Sequence, residues 1–205
     1  MLCGQEADLV FAAARGAGKL LVLDAVSGDA RGEVGVGHKP NGLAWDPQRR
    51  HVLAADVADL RARLVDPYAC RVLADLQLPG RPRWCVYDRT NDRFLVNIRE
   101  PACITVLDAE AFAERGRWPI SPAGPHGLDL DLGGGRVFVV CDDGVIAALD
   151  LSYERDIATV EIGGEPDAIW CDPEHSRLYV TIGRPAFIDV IDTAAMARVE
   201  RARTE

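Results

Sequence analysis

Residues 124–131 read GPHGLDLD, a histidine set between proline and glycine with two aspartates close behind. An imidazole near carboxylates can serve as a general base or as a metal ligand. Three other groups invite the same question. The glycine run at 133–135 would need a following helix to cradle a phosphate, and an apolar strand-like run follows instead. Ser27, Ser121, Ser152 and Ser176 stand in turn-like contexts with no nucleophile elbow, so no serine triad is expected. Cys3, Cys70, Cys85, Cys103, Cys141 and Cys171 contain no C-x-x-C pair and mostly sit in apolar runs. They are expected to be buried free thiols, not a zinc site.

The elements that must position His126 emerge from an internal repeat. KPNGLAWDPQRRHVLAA (39–55), RPRWCVYDRTNDRFLVN (81–97), GPHGLDLDLGGGRVFVV (124–140) and EPDAIWCDPEHSRLYVT (165–181) align with proline second, aspartate eighth and a basic residue thirteenth. Their prolines fall at 40, 82, 125 and 166, steps of 42, 43 and 41. A second marker, an apolar run closing in aspartate, places Asp24, Asp66, Asp108, Asp150 and Asp192 42 residues apart each time.

Within each unit the apolar runs are short, rich in Val, Ile, Leu and aromatics, and bounded by Gly, Pro, Asp and Asn, which makes them strands. Four strands per ~40–45 residues is the pattern of a β-propeller blade, an architecture shared with WD40 repeats. The third blade predicts strand A at 83–88, B at 93–98, C at 103–108 and D at 112–118. The expected fold is a single all-β propeller domain of about five blades: a partial blade at 1–36 and full blades at 37–78, 79–120, 121–162 and 163–205. On this reading the chain opens in a B-type strand, LVFAAA, and no A strand is left for the first blade. The ring is therefore expected to be incomplete or open, with exposed edges that favour self-association.

RVFVVCDDGVIAALDLS and RLYVTIGRPAFIDVIDTA resemble the YVTN β-propeller repeat family, the YncE-like proteins, and weaker likeness covers nearly the whole chain. The resemblance implies a binding scaffold before it implies an enzyme, and a family whose members are often exported.

Recurrence separates structural from candidate residues. Asp46, Asp88, Asp131 and Asp172 are followed five residues later by His51, Arg93, Arg136 and Arg177. Carboxylates so placed cap the A to B turn and can pair across the hairpin. Asp24 and its four counterparts cap the C to D turn in the same way. The position after each unit's proline differs, holding Asn41, Arg83, His126 and Asp167, all polar and each chemically distinct. In a propeller these four side chains are expected to converge at the mouth of the central channel, either as a solvated channel lining or as the contacts of a ligand site.

The function expected from this pattern is a non-enzymatic scaffold that binds a small molecule or a protein partner. The first alternative is a metal-dependent lactone hydrolase. PNGLAWD (40–46) resembles the segment that supplies an asparagine ligand to the divalent cation in gluconolactonase and senescence-marker-type propellers, which implies that role for Asn41. His126 and Asp167 could add nitrogen and oxygen ligands, whereas Arg83 would repel a cation. A bound metal would lower the pKa of water or polarise a lactone carbonyl. No other cofactor is expected. The second alternative is a truncated fragment without activity of its own.

With 32 acidic against 23 basic residues the net charge is -9, and no basic stripe offsets it, so nucleic acid is not an expected partner. No apolar run approaches the ~18–20 residues of a membrane helix. The N-terminal MLCGQEADLV has no signal-peptide pattern, which as written predicts a cytoplasmic protein.

Overall fold

The computed structural model describes residues 1–152 and 154–204, with Gln5 described by its backbone alone. Among the described residues the fold is all-β, five four-stranded sheets. The first holds β1 (Leu2–Gly4), β2 (Leu9–Ala14), β3 (Lys19–Asp24) and β4 (Ala30–Gly35). The second holds β5 (Pro40–Asp46), β6 (His51–Asp56), β7 (Arg61–Asp66) and β8 (Arg71–Gln77). β9 (Pro82–Asp88), β10 (Arg93–Ile98), β11 (Cys103–Asp108) and β12 (Glu114–Pro119) make the third, close to the strands expected from the repeat. The fourth comprises β13 (Pro125–Asp131), β14 (Arg136–Cys141), β15 (Val145–Asp150) and β16 (Arg155–Glu161). β17 (Glu165–Asp172), β18 (Arg177–Arg184), β19 (Phe187–Asp192) and β20 (Ala197–Arg203) complete the fifth. Within every sheet the strands lie in chain order, as in propeller blades.

The first sheet corrects one expectation. It has four strands, not three, because Leu2, Cys3 and Gly4 pair antiparallel with Phe11, Val10 and Leu9. The segment carries neither the proline nor the turn aspartate of the other A strands. It stands 42 residues before Ala44, Trp45 and Asp46, so strand pairing and period override the missing markers.

The turn aspartates do what their recurrence implies. Asp24 Oδ1 accepts from the Val26 and Ser27 amides at 3.0 and 2.8 Å, and Asp108 Oδ1 from Glu110 and Ala111 at 2.9 and 2.7 Å. Asp66, Asp150 and Asp192 hold the same turns in their sheets. Each turn then places the fourth residue after its aspartate in the left-handed region: Gly28, Cys70, Phe112, Glu154 and Met196 have φ between 47° and 76°. L-residues rarely adopt that conformation, and the capped turn compels it.

The A to B turns follow the same scheme with a variable ion pair. Arg93 meets Asp88 at 2.9 Å and Arg136 meets Asp131 at 2.7 Å, as expected across the hairpin. Asp46 is instead met by Arg49 at 3.0 Å, Asp172 by His175 at 2.8 Å, and Arg177 turns to Asp192 at 2.6 Å.

The chain divides into two compact units, Met1–Val96 with Thr105–Gly116, and Asn97–Ile104 with Arg117–Glu205. In the first, Phe11, Leu20 and Val22 of the first sheet pack with Leu43, Val52, Ala54 and Val65 of the second. In the second, Phe138, Val140, Ile146 and Ala148 of the fourth sheet pack with Ile169, Leu178, Val180 and Ile191 of the fifth. Central strands serve two buried faces, which is why VFVVC, the part of β14 after Arg136, is apolar and buried at successive positions. Among the cysteines, Cys85, Cys103, Cys141 and Cys171 are buried, Cys70 is half-buried and Cys3 is exposed, all as free thiols. Burial pushes the Cys141 and Cys171 thiols up to about 12, so neither is a nucleophile at neutral pH.

Candidate functional site

The variable polar residues stand on irregular backbone. Strand pairing slips between Pro40 and Gly42, between Pro125 and Leu128, and between Pro166 and Ile169, so Asn41, His126 and Asp167 each lie inside a bulge. A bulge re-aims side chains away from the regular alternation. The glycine that follows His126 permits close approach of the next A strand: a Cβ on Gly127 would lie 2.9 Å from side-chain methyls of both Ile169 and Val140.

In the second unit, His126 and Asp167 border a cavity of about 500 Å³ together with Arg99, Asp142, Glu165 and Arg184. The imidazole lies between two carboxylates, Nδ1 3.5 Å from Asp142 Oδ1 and Nε2 3.6 Å from Asp167 Oδ1. Its side chain is 14% exposed, whereas Asp167 is 73% exposed and faces solvent. Arg99 Nη2 meets Asp142 Oδ2 at 2.6 Å, which fixes the carboxylate on the Nδ1 side. Beneath the ring, Asn97 Nδ2 donates to the main-chain carbonyls of His126 and Gly127 at 3.2 and 3.1 Å. Asn97 is fully buried, so the bulge that carries His126 is anchored from inside the sheet stack.

The first unit holds the other two predicted residues. Asn41 Nδ2 donates to the Arg83 carbonyl at 3.1 Å and ties β5 to β9. Nearby loops of that unit add a second polar cluster that sequence reasoning did not single out. His38 Nδ1 lies 2.6 Å from Asp59 Oδ1, and Arg63 Nη2 donates to Asp59 Oδ2 at 2.8 Å. The hydrogen bond to Asp59 raises the His38 pKa and lowers that of Asp59.

Thus His126 and Asp167 come together in one unit, and Asn41 touches the backbone of Arg83 in the other. Among the described residues no group of three His, Cys, Asp or Glu side chains is placed to hold a metal. Arg99, Asp142 and Arg184 lie away from the variable position after the proline, at or just beyond the ends of B strands. The turn from strand B to strand C carries the same kind of variation, and Arg99 and Asp142 immediately follow β10 and β14. Asn97 was also legible, as an amide at the strand B position where other units carry Ala55, Val140 and Thr181.

These sheets, capped turns and period define a β-propeller-type repeat protein. No protein-family model matches the chain. No curated protein sequence matches it either. Among solved structures the chain is similar to Kuenenia stuttgartiensis hydrazine synthase, with a TM-score of 0.74 and 12% sequence identity over 96% of this chain and 84% of that chain. At that identity the likeness speaks for the propeller-type fold alone.

Proposed function

We propose that the protein is a binding scaffold, a propeller of the YVTN type, that takes a polar small molecule in the cavity beside His126. The observation that carries this reading is the placement of a half-enclosed imidazole between Asp142 and Asp167 at the rim of a cavity bordered by two guanidiniums and three carboxylates. Repeated residues of this chain cap turns. The cavity side chains differ from blade to blade, which is what a ligand site grafted on a repeat requires.

The metal-dependent lactone hydrolase keeps one supporting observation, the 3.6 Å approach of His126 Nε2 to Asp167 Oδ1, which sets a nitrogen and an oxygen donor side by side. It needs further ligands, and among the described residues no group of three His, Cys, Asp or Glu side chains supplies them. Melting temperature separates the two readings, because a ligand that binds only the native state must raise it. The scaffold reading expects stabilisation by polar small molecules, lost in Asp167→Ala, with no change between chelator and excess calcium, magnesium, manganese or zinc. Cation-linked stabilisation together with turnover of a lactone, both lost in Asp167→Ala, would replace it with the hydrolase.

A further inference from the structure

The fifth sheet presents a face that the preceding sheets bury. Tyr179 stands at the register of Phe11, Leu53, Leu95 and Phe138, each 0% exposed. Ile188 stands at that of Leu20, Ala62, Ile104 and Ile146, also 0% exposed. In the fifth sheet Tyr179 and Ile188 are only half-buried, and Trp170 is 59% exposed where Ala44 is 2% exposed and Leu2, Val86 and Asp129 are half-buried. Trp170 and Tyr179 pair across β17 and β18 and stack at 5.4 Å between ring centroids. Val190, opposite Tyr179, extends the same face. An exposed stacked tryptophan on the innermost strand of a blade marks an interaction surface, not ordinary surface scatter.

The repeat itself says what such a face receives. In the second unit the matching face of the fourth sheet, Phe138, Val140, Ile146 and Ala148, packs against the reverse face of the fifth. Asp129, the counterpart of Trp170, there accepts a hydrogen bond from the Cys171 amide of the following A strand at 2.7 Å. In the first unit the first and second sheets pack with the same sidedness. The occupant of the Trp170 face must therefore offer the reverse face of a blade. The first sheet has one: Val10, Ala12, Leu21 and Leu23 share a face and are half-buried, while their fifth-sheet counterparts Leu178, Val180 and Ile191 are 0% exposed.

We propose that two copies of this chain associate head to tail, the Trp170 face of one receiving the Val10 and Leu23 face of the other. The contact continues the packing of successive blades across molecules, through sheet faces and not through strand edges. Because the two surfaces differ, the association is heterologous and can propagate beyond a dimer.

Sedimentation velocity of the full chain, over a wide concentration range and in reducing buffer so that exposed Cys3 cannot cross-link, tests this. The average mass is expected to rise with concentration. Trp170→Asp, which installs the residue that the fourth sheet carries at this position, and Leu23→Arg should each give a monomer with an unchanged circular-dichroism spectrum. Mixing the two variants should restore a dimer, since one intact pair of faces remains. If Leu23→Arg loses its strand spectrum, Ala12→Lys replaces it on the same face. A monomer at every concentration, association that survives Trp170→Asp, or association indifferent to both first-sheet variants would overturn the proposal.

Discussion

The side-chain amide of Asn97 donates to the main-chain carbonyl of His126 at 3.2 Å and, through the same nitrogen, to that of Gly127 at 3.1 Å. A buried residue thus sets the backbone on which the candidate ligand contact stands. Asn97→Ala removes the donor from two carbonyls that lie away from bulk water, at a cost of about 1–3 kcal/mol. We expect a lower urea midpoint and weaker binding of any ligand that depends on His126, whereas Asn97→Asp should do worse by opposing a carboxylate to those carbonyls.

Asp88 shows what a turn aspartate contributes when it is fully buried. It accepts from the Thr90 and Asn91 amides and from Arg93 Nε, the last at 2.9 Å, and Arg93 is itself 6% exposed. Asp88→Ala removes a charge-assisted hydrogen bond from a buried guanidinium and the acceptor of two turn amides, a change of about 1.5–3 kcal/mol. Chemical denaturation should register a loss of that order, well above that for Asp66→Ala in a C to D turn, where the aspartate is only half-buried.

The left-handed turn residue predicts the opposite direction. Ser176 has φ 53° at the position where the fourth sheet uses Gly135, φ 65°. Relief of the left-handed penalty, partly offset by the entropy glycine loses on folding, should make Ser176→Gly more stable by about 0.5–1 kcal/mol. Its melting temperature should rise by a few degrees relative to the parent chain.

Asp129 supplies a pH dependence. Burial raises its pKa above the ordinary carboxylate value, and hydrogen bonds from the Cys171 and Leu130 amides only partly oppose this. The native state therefore holds its proton to higher pH than the unfolded chain does. Stability contributed by the neutral form is present below the unfolded pKa and declines as pH rises towards the folded one. Asp129→Asn keeps an acceptor for Cys171 without the charge. It should be at least as stable as the parent at neutral pH and lack that decline in pH-dependent denaturation.

The sequence makes the repeat legible because every turn must satisfy the same backbone groups, so Asp24 and its counterparts recur whatever surrounds them. The strands of the third blade could be bounded to within about two residues for that reason. β1 escaped because Gly4 stands where the other A strands have aspartate, and three residues carry too little pattern to be read alone. The candidate site was half legible for a related reason. Variation at the residue after the proline exposed His126 and Asp167, but Arg99, Asp142 and Asn97 reach the cavity and its backbone from other strands, a relationship set by packing between blades. Asn41 illustrates the limit of such reasoning, since its side-chain nitrogen also ties β5 to β9 through the Arg83 carbonyl, a structural role that variation at the position does not reveal.

The most direct test of a ligand site at this cavity is the imidazole itself. The chain has four histidines, so the His126 ring resonance can be assigned by comparison with His126→Gln and followed by NMR as polar small molecules that raise the melting temperature are added. The account predicts that such ligands shift the His126 resonance and leave those of His38 and His175 in place, with both shift and stabilisation lost in Asp167→Ala. Stabilising ligands that leave His126 unmoved would contradict it and put the binding site elsewhere on the propeller.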